Sequence, residues 1–340
     1  MKDLSMMPSS VVFSGGRCRD KACVMEKKTS TKFRELLNRR QLLVMSGGFS
    51  PLHARMSEVL GYEAFFMSGS QVCAYVYGYP DVGLVGLSEM TEAVRRLTAA
   101  CNIPIFADAD TGYGNAVNVY YTVQAYIRAG AAGLHIEDQE APKKSGTLAG
   151  RRLISREEAI GKYKAAVAAK KDLDADFVVC ARCDSIGSEA GDFNDAVERS
   201  IAYVKEAGVD AIWVNTLTQR EEIEEACRRI PAPVIAPYYG PRPSPTFEEF
   251  EKLGAAAVLY PSLTTANGLQ ATWELLHEFK ERGPVVLEEW NKKAQASPWG
   301  VVPRTQDPIL PAEKIRRLED EFIPKELQRD YAKTFGHDRH

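Results

Sequence analysis

Short apolar runs alternate with longer amphipathic segments through most of this chain. The runs are QLLVMS (41–46), EAFFMS (63–68), IPIFADAD (103–110), AGLHIED (132–138), DFVVCAR (176–182), DAIWVN (210–215), APVIAP (232–237) and AAVLYP (256–261). They are rich in Val, Ile and Phe and bounded by glycine, proline or charge. Such runs predict strands buried on both faces, as in a parallel sheet. Between them SEMTEAVRRLTAAC, NVYYTVQAYIRAG, SREEAIGKYKAAVAAK, DAVERSIAYVKEAG and TFEEFEKLG read as amphipathic helices. Several close on Ala-Gly or Leu-Gly, the chemistry of a helix C-terminus. Eight β-α repeats over about 250 residues predict one α/β domain, a (β/α)8 barrel of TIM type, spanning 31–283.

The period fails at both ends. Residues 1–30 mix glycines, basic residues and short apolar pieces and read as an N-terminal arm. From Thr31 the pattern turns regular, and TSTKFRELLNRR offers a Ser/Thr N-cap with helical spacing of Phe33, Leu36 and Leu37. Residues 284–340 form a C-terminal helical extension around the Pro-rich SPWGVVPRTQDPILP. It is too polar for a core of its own, so Trp290, Trp299, Ile315, Leu318 and Phe322 are expected against a barrel face or a neighbouring subunit.

Composition narrows the class. With 45% hydrophobic and 26% charged residues in 340, the chain is an ordinary globular protein. A net charge of −3 gives no basic excess for nucleic acid. No apolar run reaches the length of a membrane span or an uninterrupted signal core. Seven scattered cysteines suit a reducing cytoplasm rather than a disulfide framework. Cys180 and Cys183 form a C-x-x-C, but no second Cys or His pair stands at zinc spacing, and the pair falls within a strand.

In such barrels the reactive residues lie where strands end. Here those positions are acidic: Asp81 in the loop after strand 2, Asp108 and Asp110 at strand 3, Glu137 and Asp138 at strand 4. Clustered carboxylates stay ionised with a compensating cation, and oxygen-only ligands favour a hard divalent ion, Mg²⁺ or alternatively Mn²⁺. Any one of these acids could instead cap the helix that follows it. Asp108 and Asp110 alternate, so a continuous strand would point both the same way. Arg182, ending strand 5, is suited to grip a carboxylate or phosphonate bidentately, or to pair with the rim acids. Ser68-Gly69-Ser70 offers donors in a tight turn. The stretch EAPKKSGTLAGRRLIS (140–155) has the composition of a lid, with Lys143, Lys144, Arg151 and Arg152 bringing positive charge.

MSG with PDVG, FADADTGYGNAVNV, HIEDQEAPKKSG, FVVCARCDS and LYP together resemble the isocitrate lyase/phosphoenolpyruvate mutase superfamily, from about Phe33 to Glu281. The resemblance implies a (β/α)8 barrel, commonly a homotetramer with the last helix exchanged between subunits. It implies Mg²⁺ and an enolate derived from a 2-oxo acid, with a small 2-oxo or 2-hydroxy acid as the partner. Carried across, Asp108 is the direct Mg²⁺ ligand, while Asp81, Asp110 and Glu137 hold its waters. Ser68, Gly69, Ser70, Arg182 and Asn215 bind substrate, and Arg182, Lys144 and Ser145 serve catalysis. The family's lyases carry Lys-Lys-Cys-Gly-His in the lid, whereas this chain has Lys143-Lys144-Ser145-Gly146-Thr147. Phe66, Asn215 and Pro237 replace the usual Tyr, Glu and Asn. The expectation is a Mg²⁺-dependent lyase cleaving or forming a C–C bond beside a 2-oxo or 2-hydroxy carboxylate, with isocitrate not its substrate. A decarboxylase, hydrolase or P–C mutase of the same superfamily is the second reading, and a non-catalytic metabolite-binding barrel the third.

Overall fold

A computed structural model describes residues 27–237, 239–299, 309–310 and 312–329. All eight apolar runs are strands: β1 (Leu43–Gly48), β2 (Phe65–Met67), β3 (Ile105–Asp108), β4 (Gly133–Glu137), β5 (Val178–Cys183), β6 (Ala211–Val214), β7 (Val234–Pro237) and β8 (Ala257–Tyr260). They pair in sequence order, and β8 closes in parallel onto β1. The helices are α1 (Thr29–Asn38), α2 (Pro51–Val59), the single turn α3 (Gly69–Val72), α4 (Leu87–Thr98), α5 (Ala116–Arg128), α6 (Arg156–Leu173), α7 (Phe193–Ala202), α8 (Arg220–Arg229), α9 (Phe247–Lys252) and α10 (Ala266–Arg282). Beyond them lie α11 (Val285–Gln295) and α12 (Ala312–Phe322).

Strand alternation divides the core in two. Outward residues such as Ile105, Leu134, Val179 and Ile212 pack beneath the helices. Inward residues fill the barrel: Met45, Phe66, Phe106, Cys180, Trp213 and Leu259. α1 plugs the N-terminal end, where Phe33 and Leu37 join this inner cluster and Phe33 stacks on Phe106 at 5.2 Å. The expected Ser/Thr N-cap of α1 is not what forms. Lys28 occupies the cap position, and the Ser30 and Thr31 hydroxyls donate to Asp174 and Asp176 at 2.7 and 2.6 Å, tying α1 to the loop before β5.

The Cys180–Cys183 pair is split by the same alternation. Cys180 lies in the inner cluster and Cys183 in the outer one, and both are free thiols. The arm (1–26), most of the Pro-rich stretch and the end of the tail lie outside the described residues. In the described part of the extension Trp299 is 95% exposed, and Ile315, Leu318 and Phe322 are also exposed, so these side chains do not fold back onto the barrel. Trp290 is half-buried, with Lys293 over its ring.

Candidate active site

The inner face of strands β3 to β6 changes character at its C-terminal end. One step of period two takes Phe106 to Asp108, His135 to Glu137, Cys180 to Arg182 and Trp213 to Asn215. The top of the barrel interior is therefore polar on this side, and every one of these four polar residues is buried.

Asp108, Asp110 and Glu137 each offer a carboxylate oxygen, all within 4.8 Å of one another. Asp108 Oδ2 accepts from the Gly69 N–H at 3.0 Å, an approach that a Cβ at Gly69 would obstruct at 2.7 Å. Asp110 does not continue the strand as its alternation with Asp108 implies. β3 stops at Asp108, and Asp110 takes a left-handed conformation with φ 46°. Its N–H donates to Asp108 Oδ1 at 3.0 Å, and this turn returns its carboxylate to the cluster. The Gly69 donor is engaged by Asp108 and is not open to a ligand, whereas Ser68 and Ser70, 3.0 Å apart at their hydroxyls, line the cavity.

The lid brings an ammonium into the acids. Lys143 Nζ lies 2.5 Å from Asp81, 2.9 Å from Asp110 and 3.7 Å from Glu137, and is buried. Asp81 lies outside the triad and joins it through this lysine. The other basic lid residues do not face a ligand. Lys144 is exposed, with its backbone N–H held by Gln139 at 3.0 Å. Arg151 grips the carbonyls of Gly146 and Ile186. Arg152 pairs with Glu189 in solvent. The lid position that reaches the cluster is thus Lys143, not Lys144. Ser145 does reach the cavity, with Thr147 as its hydroxyl neighbour at 3.3 Å.

Arg182 is braced from three sides: Glu137 at 3.2 Å, Asp184 at 3.1 Å, and the Trp213 ring with its centroid 4.7 Å away. Asn215 Nδ2 donates to Asp184 at 2.5 Å and to the lid carbonyl of Gly146 at 3.2 Å, while its oxygen accepts from the Tyr239 hydroxyl. Trp213 and Gln139 were not singled out in the sequence. Each stands two residues from a singled-out position, so the inward period would have found them. Tyr238, the chain neighbour of Tyr239, lies outside the described residues.

The electrostatics fit a cation. Burial pushes the Glu137 carboxyl up to about 8, against the pull of Arg182 and Lys143. It pushes Asp110 up to about 6 against Lys143. Lys143 remains an ammonium, because the surrounding acids outweigh its own burial. Asp81 Oδ1, Asp110 Oδ1 and Glu137 Oε1 sit within ion-pair range of Lys143 yet are not aligned to accept a hydrogen bond from it. Three buried, under-satisfied oxygens on an all-carboxylate set are the donors a hard divalent ion takes. Above them a cavity of about 70 Å³ is walled by Phe66, Trp213, Tyr239, Pro261 and the lid at Ser145–Thr147. A larger open groove, about 650 Å³, lies at the opposite end of the barrel beside Arg39, Glu63 and Pro104, away from these groups.

Comparison with known proteins agrees with this geometry. The phosphoenolpyruvate phosphomutase family model matches residues 33–280. A 2-methylisocitrate lyase of Aeropyrum pernix is 40% identical over 252 residues, 74% of this chain and 79% of that protein. A 2,3-dimethylmalate lyase of Eubacterium barkeri is 38% identical, covering 73% of this chain and 84% of that one. Among solved structures, a phosphonopyruvate hydrolase complexed with oxalate and Mg²⁺ superposes with a TM-score of 0.75 at 28% identity, covering 88% of this chain and all of that one. With a family match over most of its length, and carbon–carbon lyases at about 40% identity, the chain belongs to the isocitrate lyase/phosphoenolpyruvate mutase superfamily as an enzyme of carbon–carbon lyase type.

Proposed function

We propose that this protein is a Mg²⁺-dependent lyase that cleaves, or in reverse forms, the C–C bond next to a 2-hydroxy or 2-oxo carboxylate through an enolate. The observation that carries this is the buried triad Asp108, Asp110 and Glu137 beneath a cavity that also holds Arg182. Asp108 would contact the ion, with Asp110, Glu137 and Asp81 around it. Held there, a divalent ion would supply Lewis acidity to the substrate's oxygen.

The chain's own residues do the rest. Arg182, preset by Glu137, Asp184 and Trp213, orients the C1 carboxylate by its fork. Ser68 and Ser70 offer hydroxyls to the same end of the ligand. In the cleavage direction the C2 hydroxyl loses its proton and becomes the oxo group, the C2–C3 electron pair moves onto C3, and C3 takes up a proton. No net redox change occurs, so no further co-reactant is needed. The Ser145–Thr147 hydroxyl pair is the lid's proton carrier. Serine is far less acidic than the thiol it replaces, and among the described residues its hydroxyl is paired with Thr147 rather than with a basic side chain. The closed lid, pinned at Gly146 by Arg151 and Asn215, keeps water from the enolate.

Leu269, Trp273 and Leu276 on α10 are exposed at helical spacing, which supports a homo-oligomer, a tetramer in our reading. No helix of the described residues is long and apolar enough to cross a membrane.

Titration calorimetry tests the assignment. Oxalate, which mimics the carboxylate and oxo oxygens of the released 2-oxo acid, should bind with Mg²⁺ and not after chelation; binding indifferent to Mg²⁺ would refute it. The match to the phosphomutase model favours a P–C mutase or hydrolase as the second reading. Phosphorus NMR with phosphonopyruvate would show loss of the C–P resonance if that reading holds.

A further inference from the structure

The cavity is lopsided in charge. Arg182 is the single cation among its described lining residues, beside the carboxylates of Asp81 and Asp108. The apolar and aromatic part of its described lining, Phe66, Trp213, Pro261 and Tyr239, carries no charge. A first carboxylate can share Arg182 with a bound divalent ion. A second can take the lid hydroxyls of Ser145 and Thr147. A third would meet aromatic rings and a proline, in a cavity whose lining already carries two fixed carboxylates.

The end of β6 closes off the remaining polar option. Both amide functions of Asn215 are engaged: the nitrogen with Asp184 and Gly146, the oxygen with the Tyr239 hydroxyl. The fit there is tight. A Cβ on Gly146 would collide with the Arg182 guanidinium and stand 2.7 Å from the Asn215 nitrogen. Asn215 therefore acts on the ligand through the residues it places, holding the lid backbone on one side and the Tyr239 ring on the other. Burying a carboxylate against such a wall removes its hydration without replacing it.

Resting on the lyase reading above, we propose that the substrate is a 2-hydroxy dicarboxylate whose C3 substituent is uncharged, and that the Asn215–Tyr239 pair sets this limit. Small alkyl groups fit the neutral wall. A carboxymethyl group, which makes the substrate a tricarboxylate, is rejected. Tyr239 is the specificity residue that faces the ligand, and Asn215 is the positioning residue behind it.

The test uses the Mg²⁺-loaded full chain and two matched series: 3-methylmalate and 2,3-dimethylmalate against isocitrate and 2-methylisocitrate. Release of the 2-oxo acid gives kcat/KM, and calorimetric displacement of oxalate gives affinity without requiring turnover. The expected result is a preference of about 100-fold or more for the uncharged series in both readouts. Tyr239→Arg, which places a cation at the neutral wall, should narrow the gap at least about tenfold, chiefly through KM for the carboxymethyl compounds. Equal or better use of the tricarboxylates by the wild type overturns the proposal, whatever the variant does. If neither series is cleaved but the uncharged compounds alone displace oxalate, the lyase reading falls and this selectivity stands. If both series displace oxalate equally, the selectivity falls even where cleavage is seen.

Discussion

Replacing Lys143 with methionine should unlatch the lid. Lys143 has 2% of its side chain exposed, and its partners Asp81, Asp110 and Glu137 have 14%, 7% and 0%. None is wet enough for solvent to screen the pairs away. Removing one partner of a buried ion pair costs about 3–5 kcal/mol, because the remaining charge is left without compensation. Here the acids can rehydrate if the lid opens, so the cost falls on the closed lid rather than on the barrel. At about 1.4 kcal/mol per tenfold, even the lower figure raises the open fraction by about 10²-fold. The Glu140 and Lys144 amides report that opening, since they donate to the Arg152 carbonyl and the Gln139 side chain. Hydrogen exchange at these two amides, measured in chelator, should accelerate by about that factor in Lys143→Met. The Ala132 and Val178 amides, paired between barrel strands and the loops before them, should keep the wild-type rate. Mg²⁺ offers the same acids another cation, so the difference should shrink when it is added. Unchanged exchange at Glu140 and Lys144, or equal acceleration across the strands, would refute this account of the latch.

Further outcomes follow from the same geometry. Glu137 and Asp110 have folded-state values raised to about 8 and about 6, above the ordinary carboxylate range. The folded form thus holds protons that the unfolded chain releases, so the contribution of these groups to stability in chelator declines as pH rises from about 4 through 8. The thermal shift given by Mg²⁺ should accordingly be larger at pH 8 than at pH 6, as melting curves would show; the reverse order contradicts the raised values. Gly69→Ala puts a methyl 2.7 Å from Asp108 Oδ2 and should weaken Mg²⁺ binding at least about tenfold by calorimetry. Wild-type affinity would mean that Asp108 is not held by that N–H. Arg182→Lys keeps the charge but loses the fork between Glu137 and Asp184, and kcat/KM should fall about 100-fold or more with the fold retained. A drop of less than threefold would remove Arg182 from the orienting role.

The barrel was legible because its signal is repeated. Eight apolar runs, each needing burial on both faces, leave few arrangements, and every run became a strand. The acids were legible as residue types at strand ends, but their geometry was not. Asp110 reaches the cluster through a left-handed turn rather than by strand alternation, and a sequence pattern of period two cannot signal where a strand stops. The lid was the least readable part. Lys143 and Lys144 are adjacent and chemically identical, and a loop has no period to tell an inward side chain from an outward one. Only the acid cluster decides between them, by drawing one lysine in. Ser30 and Thr31 illustrate the same limit: a cap signal was present, but tertiary partners 144 and 145 residues away took the hydroxyls instead.

Cleavage beside a 2-hydroxy carboxylate should take place at the Asp108 cluster. Its most direct test follows ¹³C placed at C2 of a panel of substituted malates incubated with enzyme and Mg²⁺. The label should appear as the oxo carbon of a released 2-oxo acid, and chelation or Asp108→Asn should abolish its release. No labelled 2-oxo acid from any member of the panel, or release that survives both treatments, would contradict it.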